Sequence, residues 1–252
     1  MGNGMSVEED VSSKIMADDT YEKLYEEHAK VEGTFSSVGA GDFEHVGKIE
    51  KSIMQMEGLK PDSTLLDFGC GVGRLAVHII PELSKGKYIG VDISKTMLEN
   101  ANRLVNESCK DIRCEIKWIQ QQGYSFNVPE KSVDLICAFS VFTHMEHEDA
   151  FKYLVEAKKI IKDGGKFIFS CLPIHLDNSK ATFLGEAAFD FGARWSKVRS
   201  FVTSIEMMEN IARMAKWEVM KWIPAETPSV FIDGSVGPYS LGQSVCVLKK
   251  LQ

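Results

Sequence analysis

Apolar positions recur along this chain with two alternating periods. Tyr21, Leu24, Tyr25 and His28 fall at helical spacing before Gly33, and Val46, Ile49, Ile53 and Met56 do so again before Gly58 and Pro61. Both stretches read as amphipathic helices with glycine or proline as stop signals. Between them, residues 34–42 form a loop of small side chains. From residue 63 short apolar runs alternate with helical stripes. Residues 65–68, 88–91, 112–119, 133–139 and 166–171 read as strands, and the almost wholly apolar run 133–139 suits a strand covered on both faces. Residues 74–84 read as a helix strained by Pro81, and Ser94 as the cap of a helix reaching about residue 108. A third helix over 147–162 carries Ala150, Leu154, Ala157 and Ile161 on one face and closes at Gly164-Gly165. Thr203 and Glu206 read as a capping box for a further helix, with Met207, Ile211 and Met214 on its buried face. Residues 217–223 and 244–248 complete the set as two last strands.

This alternation predicts an α/β fold with a doubly wound, mostly parallel sheet of seven strands, closed by an antiparallel C-terminal hairpin and preceded by N-terminal helices. The expected organisation is a disordered leader over 1–17 and a single domain over 18–252. Within that domain, 18–58 is a helical cap and 173–202 an insertion. Long insertions in compact domains are commonly functional lids, and this one holds Phe183, Phe189, Phe191, Trp195 and Phe201 among polar residues. An accessory helix packed on the sheet, or on the second subunit of a homodimer, is the other reading.

Composition narrows the partners. The chain has 252 residues and a net charge of −7, which argues against a general nucleic-acid binder. It contains no apolar run long enough to span a membrane. Gly2 and Ser6 fit the loose pattern for N-myristoylation, but Glu8-Glu9-Asp10 would be repelled by an anionic membrane, so no membrane partner is expected. The six cysteines form no CxxC pair and several lie in apolar runs, which suits a reducing cytoplasm and argues against a disulfide framework or a zinc site.

The chemistry concentrates in Asp67-Phe68-Gly69-Cys70-Gly71-Val72-Gly73-Arg74. A glycine-rich turn there joins the first strand to the first helix of the alternating region, and glycine lets backbone approach a ligand without Cβ clashes. A dinucleotide fingerprint would read GxGxxG; here the third glycine comes one residue early and Arg74 follows it. Asp67 before the glycines suits a cationic ligand better than a pyrophosphate. Asp92, ending the second strand 19 residues after Gly73, can accept both hydroxyls of a ribose.

With these residues the chain resembles the class I S-adenosylmethionine-dependent methyltransferases, by motif over about 60–170 and by element order to 252. The resemblance implies a Rossmann-like methyltransferase fold, S-adenosyl-L-methionine as cofactor and a methyl acceptor as partner. It places Asp67 and Gly69 near the methionine ammonium, and Cys70, Gly71 and Gly73 along the turn that holds the cofactor; Arg74 reads either as a contact to the cofactor carboxylate or as a helix-surface arginine. Asp92 falls on the ribose, with Ile93 and Met97 on the adenine. Where the family often has an acidic residue for the adenine amino group, this chain has Gln120-Gln121-Gln122-Gly123, and Gln122 with the Gly123 N–H is assigned that contact. Phe139 and Ser140, where the fourth strand ends, are further cofactor contacts by resemblance. The Asn/Asp-Pro-Pro-aromatic motif of nucleic-acid and protein-glutamine N-methyltransferases is absent here, and Cys137 is followed by Ala138 rather than preceded by proline. The segment Ser140 to His144 most resembles small-molecule methyltransferases.

His144, at the mouth of the expected site, is the candidate general base. His144 and His147 also make an HxxH beside Glu146, Glu148 and Asp149, but acidic residues at a helix start explain that cluster without a metal. His28, on an apolar stripe, reads as a core or lid histidine. His175, Trp195 and Tyr239 are candidate substrate contacts. The expected activity is methyl transfer to an oxygen or nitrogen of a small organic molecule; a protein methyltransferase and a non-catalytic cofactor-binding module are the alternatives.

Overall fold

The structure of the protein is a computed structural model that describes residues 17–31 and 42–251. The leader expected over 1–17, apart from Ala17, and the loop expected over 34–42, apart from Asp42, lie outside the described residues. Seven strands form one sheet: β1 (Thr64–Phe68), β2 (Lys87–Asp92), β3 (Glu115–Gln120), β4 (Val133–Ala138), β5 (Ile161–Cys171), β6 (Trp217–Ile223) and β7 (Ser244–Lys250). Their order across the sheet is β3-β2-β1-β4-β5-β7-β6. The pairings β1–β2, β1–β4, β2–β3 and β4–β5 are parallel, whereas β7 runs antiparallel to both β5 and β6. The chain forms the doubly wound α/β fold that its alternation predicts. Strand order reverses between β1 and β4, and open sheets of this kind bind ligands outside the carboxyl ends of the strands at such a reversal.

The helices are α1 (Ala17–Val31), α2 (Phe43–Met56), α3 (Ala76–Ile79), α4 (Lys95–Ser108), α5 (His147–Ile160), α6 (Asp177–Ala187), α7 (Phe191–Trp195) and α8 (Ile205–Met214). Alternate residues of each strand feed two cores, as side chains of period two must. On one face Leu66, Ile89, Ile136, Phe167 and Phe169 pack against α5 and α8, with Trp217 fully buried among them. On the other, Leu65, Tyr88, Leu135 and Ile168 meet Ile49, Ile53 and Met54 of α2 and Ile79 of α3.

Several boundaries depart from the sequence pattern for local reasons. The helix expected over 74–84 is only α3 followed by a 3-10 turn, Ile80–Glu82, with Pro81 at its start, because proline cannot continue the α-helical ladder. Gly164-Gly165 does not end α5; the helix stops at Ile160 and the glycine pair sits inside β5, with Gly164 at φ +83°. The cap of α8 is Ser204, whose hydroxyl accepts from Met207 N at 3.1 Å, while Thr203 is engaged by His147. Its buried face is accordingly Met208, Ile211 and Ala212, with Met207 and Met214 exposed. Met56 is likewise exposed, and Met54 takes the buried place on α2.

The insertion after β5 leaves and returns at one point. Ile174 N donates to Thr203 O at 2.7 Å and Thr203 N to Leu172 O at 3.0 Å, so 173–202 is a closed excursion carrying α6 and α7.

Gly90 marks the tightest spot of the sheet beside this crevice. A Cβ there would lie 2.4 Å from two ring carbons of Trp118 and 3.2 Å from Cys70 Sγ. Gly90→Ala is expected to destabilise the protein by about 1–3 kcal/mol through overpacking, read as a lowered Tm in thermal melting. An unchanged Tm would contradict the close approach of β2 to Trp118.

Candidate active site

After Phe68 the chain turns through Gly69, Cys70 and Gly71 at the carboxyl end of β1. Gly69 and Gly71 have φ of +72° and +53°, the left-handed region that side-chain-bearing residues rarely adopt. A Cβ on Gly69 would also lie 2.4 Å from Val141 Cγ2, so glycine is what lets this turn and the one after β4 approach each other. Gly69 N and Cys70 N both donate to Val91 O, at 2.7 and 3.1 Å. Asp92 then joins the turn to α4. Its Oδ2 accepts from Gly71 N at 2.8 Å and its Oδ1 from Ser94 N at 2.9 Å, and Ser94 Oγ caps α4 by accepting from Met97 N at 3.1 Å.

Asp67 is buried beneath the same turn. It accepts the Tyr88 hydroxyl at 2.6 Å and the Cys137 thiol at 3.5 Å. Burial pushes its pKa up to about 7, against the pull of the Tyr88 hydrogen bond. Burial also pushes Asp92 up to about 6, against the amides of Ser94 and Gly71. Arg74 reaches back to α2, where its guanidinium holds both oxygens of Glu50, a carboxylate only 1% exposed. A buried pair of this kind locks its elements in register, because removing one partner strands the other charge.

A cavity of about 610 Å³ opens over these groups. Of the candidates from the sequence, Asp67, Gly69, Cys70, Gly71 and Arg74 line it from the turn. Asp92, Ile93 and Met97 line it from β2 and α4, and Phe139, Ser140 and His144 from the end of β4. Five others stand elsewhere. Gly73 packs on α4, where its Cβ would meet Ala101 Cβ at 3.2 Å. Gln122 is exposed; its neighbour Gln121 is the buried one that lines the cavity. The Gly123 carbonyl accepts from Gln121 Nε2 at 2.8 Å and from the Tyr153 hydroxyl at 3.2 Å, and Gly123 is not part of the wall. His175 pairs with Glu226 at 3.4 Å on the surface. Tyr239 lies edge-on to His45 of α2, ring centroids 4.6 Å apart, in a small hairpin with Val230. Trp195, the third candidate substrate contact, does line the cavity, whereas Phe183, Phe189 and Phe191 are exposed.

The wall also contains residues that the sequence reading did not select. Leu24, Tyr25 and His28 come from α1, Glu50 from α2, and Lys197, Val198 and Arg199 from the insertion. The signal for Glu50 was present: it sits at helical spacing within the apolar stripe of Val46, Ile49 and Ile53, where a carboxylate needs a partner.

The turn after β4 is strained. Ser140 has φ +59°, and two hydrogen bonds hold it there: its N donates to Ser170 Oγ at 2.7 Å and its Oγ accepts from Gln243 Nε2 at 2.9 Å. This turn delivers His144, whose Nδ1 lies 2.9 Å from Arg199 O. A carbonyl can only accept, so the neutral ring carries its proton on Nδ1 and its basic lone pair on Nε2. Burial lowers the His144 pKa below the ordinary 6.5, with the Arg199 carbonyl opposing. The insertion is fastened to the same turn by Phe201 N to Thr143 O at 2.7 Å and by the Arg199–Glu146 ion pair at 3.1 Å. His147 Nε2 lies 2.9 Å from Thr203 Oγ1, which gives the second histidine of HxxH a structural partner.

Asp67 and Asp92 tie stability to pH. Both carboxyls hold their protons more firmly in the folded than in the unfolded chain. Their stabilising contribution is therefore full below pH 3.8 and is lost as pH rises through about 6 for Asp92 and about 7 for Asp67. Ligand-free protein is expected to lose Tm across that interval. Asp67→Asn should flatten the upper part of the decline, and a slope identical to wild type would contradict the assignment.

Comparison with known proteins agrees with this geometry. A protein-family model described as a methyltransferase domain matches residues 65–165. The malonyl-(acyl-carrier protein) O-methyltransferase 1 of Ilyobacter polytropus is 27% identical over 139 residues, 53% of this chain and 49% of that protein. An uncharacterized methyltransferase of Schizosaccharomyces pombe is 27% identical over 119 residues, 45% of this chain and 41% of that one. The chain thus spans less than half the length of the curated relatives it matches. Among solved structures, magnesium protoporphyrin IX methyltransferase from Synechocystis PCC 6803 superposes with a TM-score of 0.62 at 15% identity, covering 94% of this chain and 98% of that one. An S-adenosylmethionine-dependent methyltransferase from Clostridium acetobutylicum gives 0.61 at 14% identity, covering 90% and 99%. Residues 65–165 thus match a methyltransferase-domain family model, and the chain shares its fold with S-adenosylmethionine-dependent methyltransferases.

Proposed function

We propose that this protein transfers a methyl group from S-adenosyl-L-methionine to an oxygen or nitrogen of a small organic molecule. The observation that carries the reading is the continuous cavity of about 610 Å³ that runs from the glycine turn to His144, walled by α1 and the insertion. A protein substrate needs an open groove, and these walls favour a small acceptor instead. Among the described residues no helix is long and apolar enough to cross a membrane.

The residues fit the cofactor. Asp67 offers a carboxylate for an ammonium group, and Asp92 retains lone pairs on both oxygens for ribose hydroxyls beyond the two amides it accepts. Ile93 and Met97 supply apolar surface for a purine. Gln121 commits Nε2 to Gly123 O and Ser125 O at 2.8 and 3.2 Å, which orients Oε1 as the acceptor for an adenine amino group, the role expected of Gln122. When bound, the cofactor supplies an electrophilic sulfonium methyl.

His144 holds the acceptor and, for a hydroxyl, takes its proton on Nε2. A nitrogen acceptor with a lone pair needs orientation only. The similarity to a protein named as an O-methyltransferase supports the oxygen case. α1, the insertion and Phe139 exclude water, so the base acts in a site of low polarity.

Two measurements test this. Tritium from methyl-labelled S-adenosylmethionine is expected in small molecules when the protein is given a protein-free metabolite extract; label only in protein, from a protein extract, would contradict the reading. With a hydroxyl acceptor, His144→Ala is expected to lower kcat roughly 100- to 10,000-fold while affinity for S-adenosylhomocysteine stays unchanged. Because neutral imidazole is the base, kcat/KM should fall as pH drops through a value below 6.5. An acid limb above 6.5, or an unchanged kcat, would remove His144 from the chemistry.

A further inference from the structure

α1 brings a second histidine to the acceptor end of the cavity. His28 lines it together with Leu24 and Tyr25, positions that share one face of a helix. Two attachments of α1 are made by Glu26 and Glu22. Glu26 Oε1 accepts from Thr96 N at 3.2 Å in the first turn of α4, and Glu22 Oε1 accepts from Gln120 Nε2 at 2.9 Å at the end of β3. These contacts set the rotation of α1 about its axis, so the inward face of His28 does not depend on His28 itself. The two imidazoles share one region, since a charge on His28 depresses the His144 pKa. Two cations of the insertion that line the cavity are paired: Lys197 with Glu186 at 2.7 Å, and Arg199 with Glu146 at 3.1 Å. With those charges balanced, recognition falls to the imidazoles and aromatic rings rather than to a net field.

We propose that His28 is an acceptor-binding residue that brackets the acceptor with His144, and that the acceptor is an uncharged, hydroxylated small molecule with a second hydrogen-bonding group in reach of His28. This rests on the methyl-transfer reading above and deepens it by naming the acceptor class.

The test uses the whole protein, methyl-tritiated S-adenosylmethionine and a protein-free yeast extract, from which the labelled product and then its unmethylated acceptor are purified. His28→Gln keeps a polar side chain at that position of α1. It is expected to raise KM for that acceptor at least tenfold, with S-adenosylhomocysteine affinity by calorimetry within twofold of wild type. The acid limb of kcat/KM should move to higher pH, because the Coulombic influence of His28 that lowers the His144 pKa is removed. NMR titration of the His144 ring in the S-adenosylhomocysteine complex should show the same upward shift. Unchanged KM and limb, or a loss of S-adenosylhomocysteine affinity as large as the loss in kcat/KM, would overturn the role of His28 while leaving methyl transfer standing. A purified acceptor that is anionic or lacks a hydroxyl would overturn the acceptor class. Absence of any labelled small molecule with wild type would instead overturn the methyl-transfer reading itself.

Discussion

The Asp92 carboxylate is the joint on which the site depends. One oxygen takes the amide of Gly71 and the other that of Ser94, so a single side chain fixes the glycine turn of β1 against the start of α4. Burial makes ionising a carboxylate in that position unfavourable, which pushes its pKa up. The two amides offset only part of that cost. A group held this way is predisposed to a ligand that brings further donors, such as the hydroxyls of a ribose. Asp67, buried under the same turn between Tyr88 and Cys137, is placed to gain similarly from a cationic partner.

A second constraint acts at the other end of the cavity. The turn after β4 carries a strained serine and a histidine whose tautomer is set by a carbonyl of the insertion. The insertion begins and ends at the Pro173–Thr203 bridge, and between those points it contacts the β4 turn through Phe201 and Arg199. Orientation of the proposed base and closure of the acceptor space are thus one structural property. α1 closes the remaining side: Glu26 binds the start of α4, which Asp92 organises, and Glu22 binds the end of β3.

Much of this was legible in the residues. Strand and helix alternation gave the sheet, because buried strands are continuously apolar and their covering helices show one apolar stripe. The glycine turn and Asp92 were legible because their spacing follows from the strand–turn–helix geometry. Gln121 was missed by one position: periodicity cannot tell which residue turns inward once a strand has ended. Tyr239 and His175 failed because loop residues have no periodicity at all, and their partners, His45 and Glu226, are set by tertiary packing. Glu50 was overlooked because its partner, Arg74, is distant in sequence, although a carboxylate inside an apolar stripe signals such a partner.

The most direct test of the account is calorimetric titration of the purified protein with S-adenosylhomocysteine, alongside Asp92→Ala. A single site is expected in the wild type and a large loss of affinity in the variant, whose fold is checked by circular dichroism. Absence of binding to the wild type, or equal affinity in both proteins, would contradict it.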